Sequence, residues 1–327
     1  MPAVTVLMSC YNASRYVSKA VESILAQSYQ DHEFIIVNDG STDGTLEMLR
    51  GYSAKDGRIR ILDKANTGLA DSLNAGMQMA QGEWIARLDA DDVALPERLA
   101  AQMAYVGSHP GTVLLGSGFI EIDGTGKALR TYRYPASRQK YVRRIQRTGC
   151  FAPHSSCLYH KATVERLGGF NPRFLRSQDA DLWFRLFLVG EVAALPQPLV
   201  KIRKHGNNIS NDDCGRMQAT FGLAARACHF LRLRGAADPS AQSEEEWSRF
   251  VKWLGVKAEE HGLFRRRHDR EELKKQYFST TNKILAAWRL LRALDSFNQI
   301  PRIIRRRRFS TILAAALAQE WLAVRDA

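Results

Sequence analysis

Three groups of carboxylates stand out in the 327-residue chain. Asp89-Ala90-Asp91-Asp92 places three within four residues. Like charges that close repel, and a cation relieves the repulsion. Few oxygen ligands suit Mg²⁺ or Mn²⁺ that is also held by substrate phosphates. An acidic loop leading into the helix at Pro96 would give the same pattern. Asp39-Gly40-Ser41-Thr42-Asp43-Gly44 resembles a calcium loop, but Arg50 stands where a twelfth-position Glu is needed. A tight turn presenting a carboxylate and backbone amides fits it better, with an ordinary turn and helix cap as the plain alternative. Asp179 and Asp181 open an apolar helix, either as caps favoured by the dipole or with one of them as a general base.

The elements that carry these groups alternate. Val4–Met8, Phe34–Val37, Arg58–Leu62 and Trp84–Leu88 read as strands. Helical spacing fills 15–27, 43–54 (capped by Ser41 or Thr42) and 69–80, and Pro96 opens another helix. Continuous apolar strands between helices predict a parallel sheet covered on both faces. Ligands bind such sheets beyond the carboxyl ends of the strands. Ser9–Asn12, Asn38–Asp43 and Asp89–Asp92 all fall there, so one shared site is expected. Further on, Thr112–Asp123, Ser155–His160 and Val192–Lys204 read as strands and Asp179–Leu188 as a helix. From about 212 the chain reads as helical, with a break at Ala236–Ser240.

Composition narrows the function. Hydrophobic residues make up 45% and charged residues 25%, ordinary for a globular protein. No run of about 18 apolar residues is present, so a spanning helix is not expected. The N-terminus lacks a basic region followed by an apolar stretch, which predicts a cytoplasmic chain. Five cysteines without a CxxC spacing argue against zinc and a disulfide framework. No G-x-S-x-G elbow, Walker A loop or G-x-G-x-x-G fingerprint occurs, which disfavours serine hydrolysis, P-loop chemistry and hydride transfer. The net charge is +13, yet residues 1–100 carry a net of −5 and residues 216–327 a net of +10. An acidic first third suits a cation site. A basic tail suits an anionic surface.

In order, the motifs resemble a family-2 glycosyltransferase of the GT-A fold. They are Val6–Asn12, Phe34–Thr45, Asn66-Thr67-Gly68-Leu69 with Leu73-Asn74-Ala75-Gly76, Gly82–Asp92, Ser177–Trp183 and Arg203–Ser210. The resemblance covers residues 3–211. It implies a Rossmann-like α/β architecture, a mostly parallel sheet flanked by helices, with a C-terminal helical extension. Residues 1–110 would be the nucleotide-sugar half of the catalytic domain, 111–211 the acceptor half, and 212–327 a basic helical region. The implied activity is inverting transfer of a sugar, usually from a UDP-sugar, to a glycan or lipid-linked acceptor, as in bacterial surface polysaccharide synthesis. The implied cofactor is Mn²⁺ or Mg²⁺.

Carried onto this chain, Tyr11 stacks on the base and Asp39 accepts from its imide N–H. Ser9, Asn12, Asn66, Gly68, Asn74 and Ala90 complete the donor site. Asp89 faces the ribose or the metal, Asp91 binds the metal, and His205 is a further metal ligand or phosphate donor. Arg203 and Lys204 are phosphate contacts or a solvated basic strand end. Asp179 matches the catalytic base, with Asp181 its rival. Gln178 stands where many members have Glu, which leaves the pKa of Asp179 less raised. His154 falls near the acceptor side with its role open. The segment 300–313, around Arg305–Arg308, suits an anionic membrane surface, placing the chain peripherally on the inner face of the cytoplasmic membrane. Nucleic acid is not an expected partner, because no recognition module accompanies the charge. A non-catalytic nucleotide-sugar or glycan-binding module is the alternative. A nucleotidyltransferase would need a Gly-rich, basic triphosphate loop, which Ser9–Asn12 is not.

Overall fold

The computed structural model describes residues 2–205, 216–261 and 306–325. In chain order the elements are β1 (Val4–Cys10), α1 (Val17–Leu25), β2 (His32–Asp39), α2 (Thr45–Ser53), β3 (Ile59–Lys64), α3 (Leu69–Met79), β4 (Trp84–Arg87), β5 (Val93–Ala94), α4 (Arg98–Ser108), β6 (Thr112–Ile122), β7 (Ala128–Tyr132), α5 (Arg138–Thr148), β8 (Leu158–His160), α6 (Lys161–Arg166), α7 (Gln178–Val189), β9 (Glu191–Arg203), α8 (Arg216–Leu233), α9 (Glu244–Glu260) and α10 (Arg306–Arg325).

Every residue of β1 and β2 is buried, which is why both read as unbroken apolar runs. Alternate side chains serve two cores. Val4, Val6 and Met8 pack with Val17, Val21 and Ile24 of α1, whereas Leu7, Ile35 and Val37 pack with Leu73 and Met77 of α3. Gly76 permits the close seat of α3, since a Cβ there would lie 2.4 Å from Leu7 Cδ1. The sheet runs β3-β2-β1-β4-β8-β6-β9-β5, with β7 on the flank of β6. The first four strands are parallel, and most paired positions of the whole sheet are parallel. β4–β8, β8–β6, β6–β7 and β9–β5 are antiparallel. The order reverses at β1, which has β2 on one side and β4 on the other, so the loops after β1, β2 and β4 open into one crevice.

Several boundaries differ from the sequence reading. α2 starts at Thr45 behind Gly44, and neither Ser41 nor Thr42 caps it. Asp43 Oδ1 instead accepts from the Thr45 amide at 3.0 Å. α4 starts at Arg98, two residues after Pro96. Residues His154–Ser156 form a 3-10 turn, which shortens β8. β7 and α5 were not legible, because β7 is almost wholly exposed and α5 buries only Tyr141 and Ile145.

Two compact units divide the chain: Met1–Ile145 with Phe151–Asn208, and Gln146–Cys150 with Ile209–Ala327. In the second, α8, α9 and α10 supply buried Phe221, Leu223, Phe250, Leu254, Leu317 and Trp321. Phe250 and Trp321 meet edge to face at 4.9 Å. Ser243 caps α9 through the Glu246 amide. The break expected at Ala236–Ser240 contains a 3-10 turn opened by Asp238. No helix among the described residues is long and apolar enough to cross a membrane. Arg265–His268, Gly206–Ser210 and the 300–305 part of the expected membrane segment lie outside the described residues.

Candidate active site

The loops after β1 and β2 are laced together. Asn12 sits at φ 50°, a left-handed conformation that Asn tolerates. Its Oδ1 accepts from the Thr42 amide at 2.8 Å, and its own N–H donates to Ser41 Oγ at 3.0 Å. Ala13 N–H donates to Thr45 Oγ1 and Ser14 N–H to Asp43 Oδ2. Burial works against the Asp43 charge, but hydrogen bonds from Thr45 and Ser14 win and hold its carboxyl at about 2. This lacing leaves the Tyr11 ring 53% exposed. Ser9 is buried on β1 opposite Val37.

Asp39 ends β2 and organises the next loop. Its Oδ1 accepts from Lys64 Nζ at 2.5 Å and from the Thr67 amide at 3.0 Å, and its Oδ2 accepts from the Gly68 amide at 3.0 Å. Burial raises its pKa, but Lys64 and the Thr67 amide outweigh burial and keep the carboxyl below its ordinary range. Gly40 (φ +71°) and Gly68 (φ +93°) make the two turns, and Asn66 is exposed between them. Asn74 is used differently. Its Nδ2 donates to the Phe170 carbonyl and its Oδ1 accepts from the Phe170 amide, both at 2.8 Å. The structure brings Asp39, Asn66 and Gly68 together and ties Asn74 to the turn before α7.

The acidic loop rests on residues that the motif reading missed. Arg87 ends β4 fully buried, and its guanidinium donates to the Leu7 and Leu88 carbonyls and to Asp89 Oδ1. Ser155 Oγ donates to Asp89 Oδ2 at 2.8 Å and accepts from the Asp89 amide at 3.1 Å. Burial raises Asp89, but Arg87 and Ser155 outweigh it, so this carboxyl stays below 3.8. Asp91 Oδ2 lies 2.9 Å from His205 Nε2. Burial, then the charge of Asp89, raises Asp91 despite His205. Asp92 Oδ1 accepts from the Arg203 amide at 2.8 Å. Burial, then Asp91 and Asp89, raises it well above 3.8. Beneath lies Arg98, which donates to the Arg87 and Cys157 carbonyls and whose pKa burial lowers to about 10. Ala90 is buried between the carboxylates. A buried Arg in an apolar strand, directly before an acidic turn, was the available signal for Arg87.

At the end of β9, Arg203 is 2% exposed. It donates to the carbonyls of Asp91 and Asp123 and lies 4.6 Å over the Tyr16 ring, which sits 5.0 Å from the His205 ring. Arg203 is thus a brace for the acidic loop, and Lys204 is the exposed one of the pair. Asp91 and His205 together offer a carboxylate oxygen and an imidazole nitrogen. That donor set fits a hard divalent cation completed by substrate phosphate oxygens. No cluster of three metal-binding side chains occurs among the described residues.

Asp179 is the second residue of α7, after Ser177 at φ 58°. Its Oδ1 accepts from the Ala180 amide at 2.8 Å. Burial raises its pKa against the pull of the Ala180 amide, and the charge of Asp89 adds to the rise. Asp181 is fully buried and accepts from Arg185, which also donates to the Leu167 and Gly169 carbonyls. Its carboxylate is committed to that clamp. His154 is wedged 5.5 Å from both Phe170 and Trp183, with Nε2 lacking a hydrogen-bond partner among the described residues. Burial and Arg87 press its pKa down to about 3, so it is a neutral imidazole.

The chain is similar to known proteins in sequence and fold. The model for glycosyl transferase family 2 matches residues 5–168. The putative glycosyltransferase EpsE of Bacillus subtilis is 34% identical over 242 residues, 71% of this chain and 84% of that protein. The amylovoran biosynthesis glycosyltransferase AmsE of Erwinia amylovora is 32% identical over 203 residues, 61% of this chain and 75% of that protein. Among solved structures, S. aureus TarS 1–349 in complex with UDP-GlcNAc superposes with a TM-score of 0.61 at 15% identity, covering 98% of this chain and 91% of that one. The mannosyltransferase PcManGT of Pyrobaculum calidifontis, in complex with GDP-Man and Mn²⁺, gives 0.55 at 15% identity over 99% and 88%. These likenesses confirm the GT-A fold that the ordered motifs implied, and with it the α/β sheet expected from the alternating strands and helices. With the matched model and the identity to EpsE, they establish that the chain belongs to glycosyl transferase family 2.

Proposed function

We propose that this glycosyltransferase moves a sugar from a UDP-sugar to a hydroxyl of a glycan or lipid-linked acceptor, with inversion at the anomeric carbon. The observation that supports the reading is the acidic loop itself, where Arg87 and Ser155 fix Asp89 and Asp91 lies 2.9 Å from His205, with Asp179 buried at the start of α7. Residues 1–110 serve the donor and 111–211 the acceptor. Exposed Tyr11 stacks on the uracil, and Asp39 accepts from its imide with a lone pair left over by Lys64 and the loop amides. Ser9, Asn12, Asn66, Gly68 and Ala90 shape the donor pocket around them. Asp89, oriented by Arg87 and Ser155, faces the ribose. Asp91 and His205 would hold Mn²⁺ or Mg²⁺, which offsets charge on the diphosphate leaving group when bound.

In the transfer step the acceptor oxygen attacks the anomeric carbon from the face opposite the diphosphate. The bond from that carbon to the diphosphate oxygen breaks, and UDP leaves. Asp179 takes the acceptor's hydroxyl proton. A raised pKa brings this base closer to the working pH and makes it a better proton acceptor than an ordinary aspartate. The name of AmsE, an amylovoran biosynthesis glycosyltransferase, supports work in bacterial surface polysaccharide synthesis, and the TarS complex with UDP-GlcNAc supports a UDP-sugar donor. The basic 300–313 segment fits a peripheral position on the inner face of the cytoplasmic membrane.

Calorimetric titration with UDP, and in parallel with TDP, GDP and CDP, tests the donor site. The expected result is UDP binding that needs Mn²⁺ and is lost in Asp91→Ala. No nucleotide binding by the folded protein overturns the reading in favour of a non-catalytic glycan-binding module.

A further inference from the structure

Between Asp123 and Glu165 the chain contains no Asp or Glu, yet it carries Lys127, Arg130, Arg133, Arg138, Lys140, Arg143 and Arg144 before Ile145. These fall just before β7, on it, in the segment after it, and on α5. Helix α5 turns Tyr141 and Ile145 inward. Tyr141 meets Tyr134 edge to face at 5.2 Å, and the Arg144 guanidinium lies 4.9 Å over the Tyr134 ring. The opposite face presents exposed Lys140 and Arg143, and Arg133 is exposed just before Tyr134. Arg133, Lys140 and Arg143 make no ion pair among the described residues.

This helix is built against its own electrostatics. Lys140 repels Arg143 at i+3 and Arg144 at i+4. Arg138 and Lys140 occupy the first turn, where the helix dipole disfavours cations and no acidic residue of the helix itself stands, although Arg138 pairs with Glu191 at 3.2 Å. The charges stand on an outward helix face and an exposed edge strand, with Leu129 58% exposed among them. A small anion needs donors that converge in a concavity, and a single-stranded nucleic acid needs exposed rings to stack on. Here Tyr134 is buried and Arg130 covers Tyr132. A spread of outward cations beside one apolar side chain matches a plane of monovalent headgroups.

We infer that the exposed face of α5, with Arg133 and β7 beside it, docks the catalytic unit onto an anionic lipid surface. The occupant is the membrane itself, bound by charge and without insertion, because the apolar face of α5 is already buried. Its residues are different ones from those of the 300–313 segment. It rests on the membrane reading above but is independent of the donor assignment.

The test is co-sedimentation of the full chain with vesicles of phosphatidylcholine alone or mixed with phosphatidylglycerol. The wild type is expected to bind only the mixed vesicles, less as salt rises. Lys140→Gln with Arg143→Gln should weaken partitioning roughly twenty-five-fold, taking about five-fold per charge. The charge-matched control Lys19→Gln with Lys55→Gln should stay near wild type, and both pairs should keep wild-type UDP affinity, which reports an intact fold. Equal losses in the two pairs, no loss in the α5 pair, or binding to a soluble polyphosphate but to neither vesicle would overturn the inference.

Discussion

Replacing Asn74 with Ala separates a brace from a ligand contact. Asn74 makes two hydrogen bonds of 2.8 Å to the main chain of Phe170, a residue with no solvent exposure. The turn they hold contains Gly169 at φ +72°, whose hypothetical Cβ would lie 2.6 Å from Asn74 Oδ1, so amide and glycine are fitted to each other. Removing the amide orphans one buried N–H and one C=O, costing about 3 kcal/mol in total. The better helix propensity of Ala returns about 0.5 kcal/mol. A net loss of about 2.5 kcal/mol corresponds to a drop in unfolding midpoint of roughly 5–10 °C for a domain of this size. Hydrogen exchange should show the Phe170 amide opening first. UDP affinity should hold, because the amide never leaves Phe170. Asn74→Asp keeps an acceptor for the Phe170 N–H but faces its carbonyl with a second acceptor, so it should be no more stable than Asn74→Ala. An unchanged unfolding midpoint with weakened UDP binding would refute this reasoning and return Asn74 to the donor pocket.

Asp179→Asn should abolish transfer while UDP binding and stability persist, whereas Asp181→Asn should cost about 3–5 kcal/mol by stranding Arg185, as read by denaturant unfolding. Transfer should fall as pH is lowered through a pKa above 3.8, since burial and Asp89 favour the protonated Asp179; an acid limb at or below 3.8 in the pH–rate profile would contradict that. The His154 pKa is depressed from 6.5 to about 3, so its contribution is full above 6.5 and is lost as pH falls from 6.5 towards 3. The slope should approach about 1.4 kcal/mol per pH unit, and His154→Gln should flatten it in unfolding experiments across that window. Gly40→Ala forces a side chain into a left-handed turn, 2.7 Å from the Asn66 amide, so it should cost about 1–2 kcal/mol and weaken UDP binding by displacing the loop that Asp39 organises.

The parallel half of the fold was legible because its strands are buried on both faces, so Val4–Met8 and Phe34–Val37 carry an apolar signal that no exposed position interrupts. The clusters at their carboxyl ends were legible for the same reason, since turn chemistry begins where the apolar run stops. What stayed hidden depends on partners far away in sequence. Asn74 looks like a polar residue in a motif until Phe170 is placed beside it, 96 residues on. Arg203 reads as a phosphate contact until the Asp91 and Asp123 carbonyls take its guanidinium. β7 escaped because an exposed edge strand has no buried face to impose alternation, and α5 because two inward residues cannot outweigh a basic run.

Three adjacent carboxylates of the same chemistry acquire three roles from their neighbours alone. Asp89 is fixed as an anion by a buried guanidinium and a serine hydroxyl, so it can orient a ligand but is a poor proton acceptor. Asp92 is buried against the Arg203 amide, and the charges beside it favour its protonated form, which lets it act as a structural hydrogen-bonding group. Asp91 is left between them, raised by burial and then by Asp89, with His205 Nε2 2.9 Å from its Oδ2. A divalent ion arriving with a diphosphate would relieve the repulsion that raises Asp91, so affinity for the metal and affinity for the nucleotide should each increase the other. The buried arginines beneath the loop set that poise: they neutralise enough charge for the loop to fold, and leave enough for it to attract a cation.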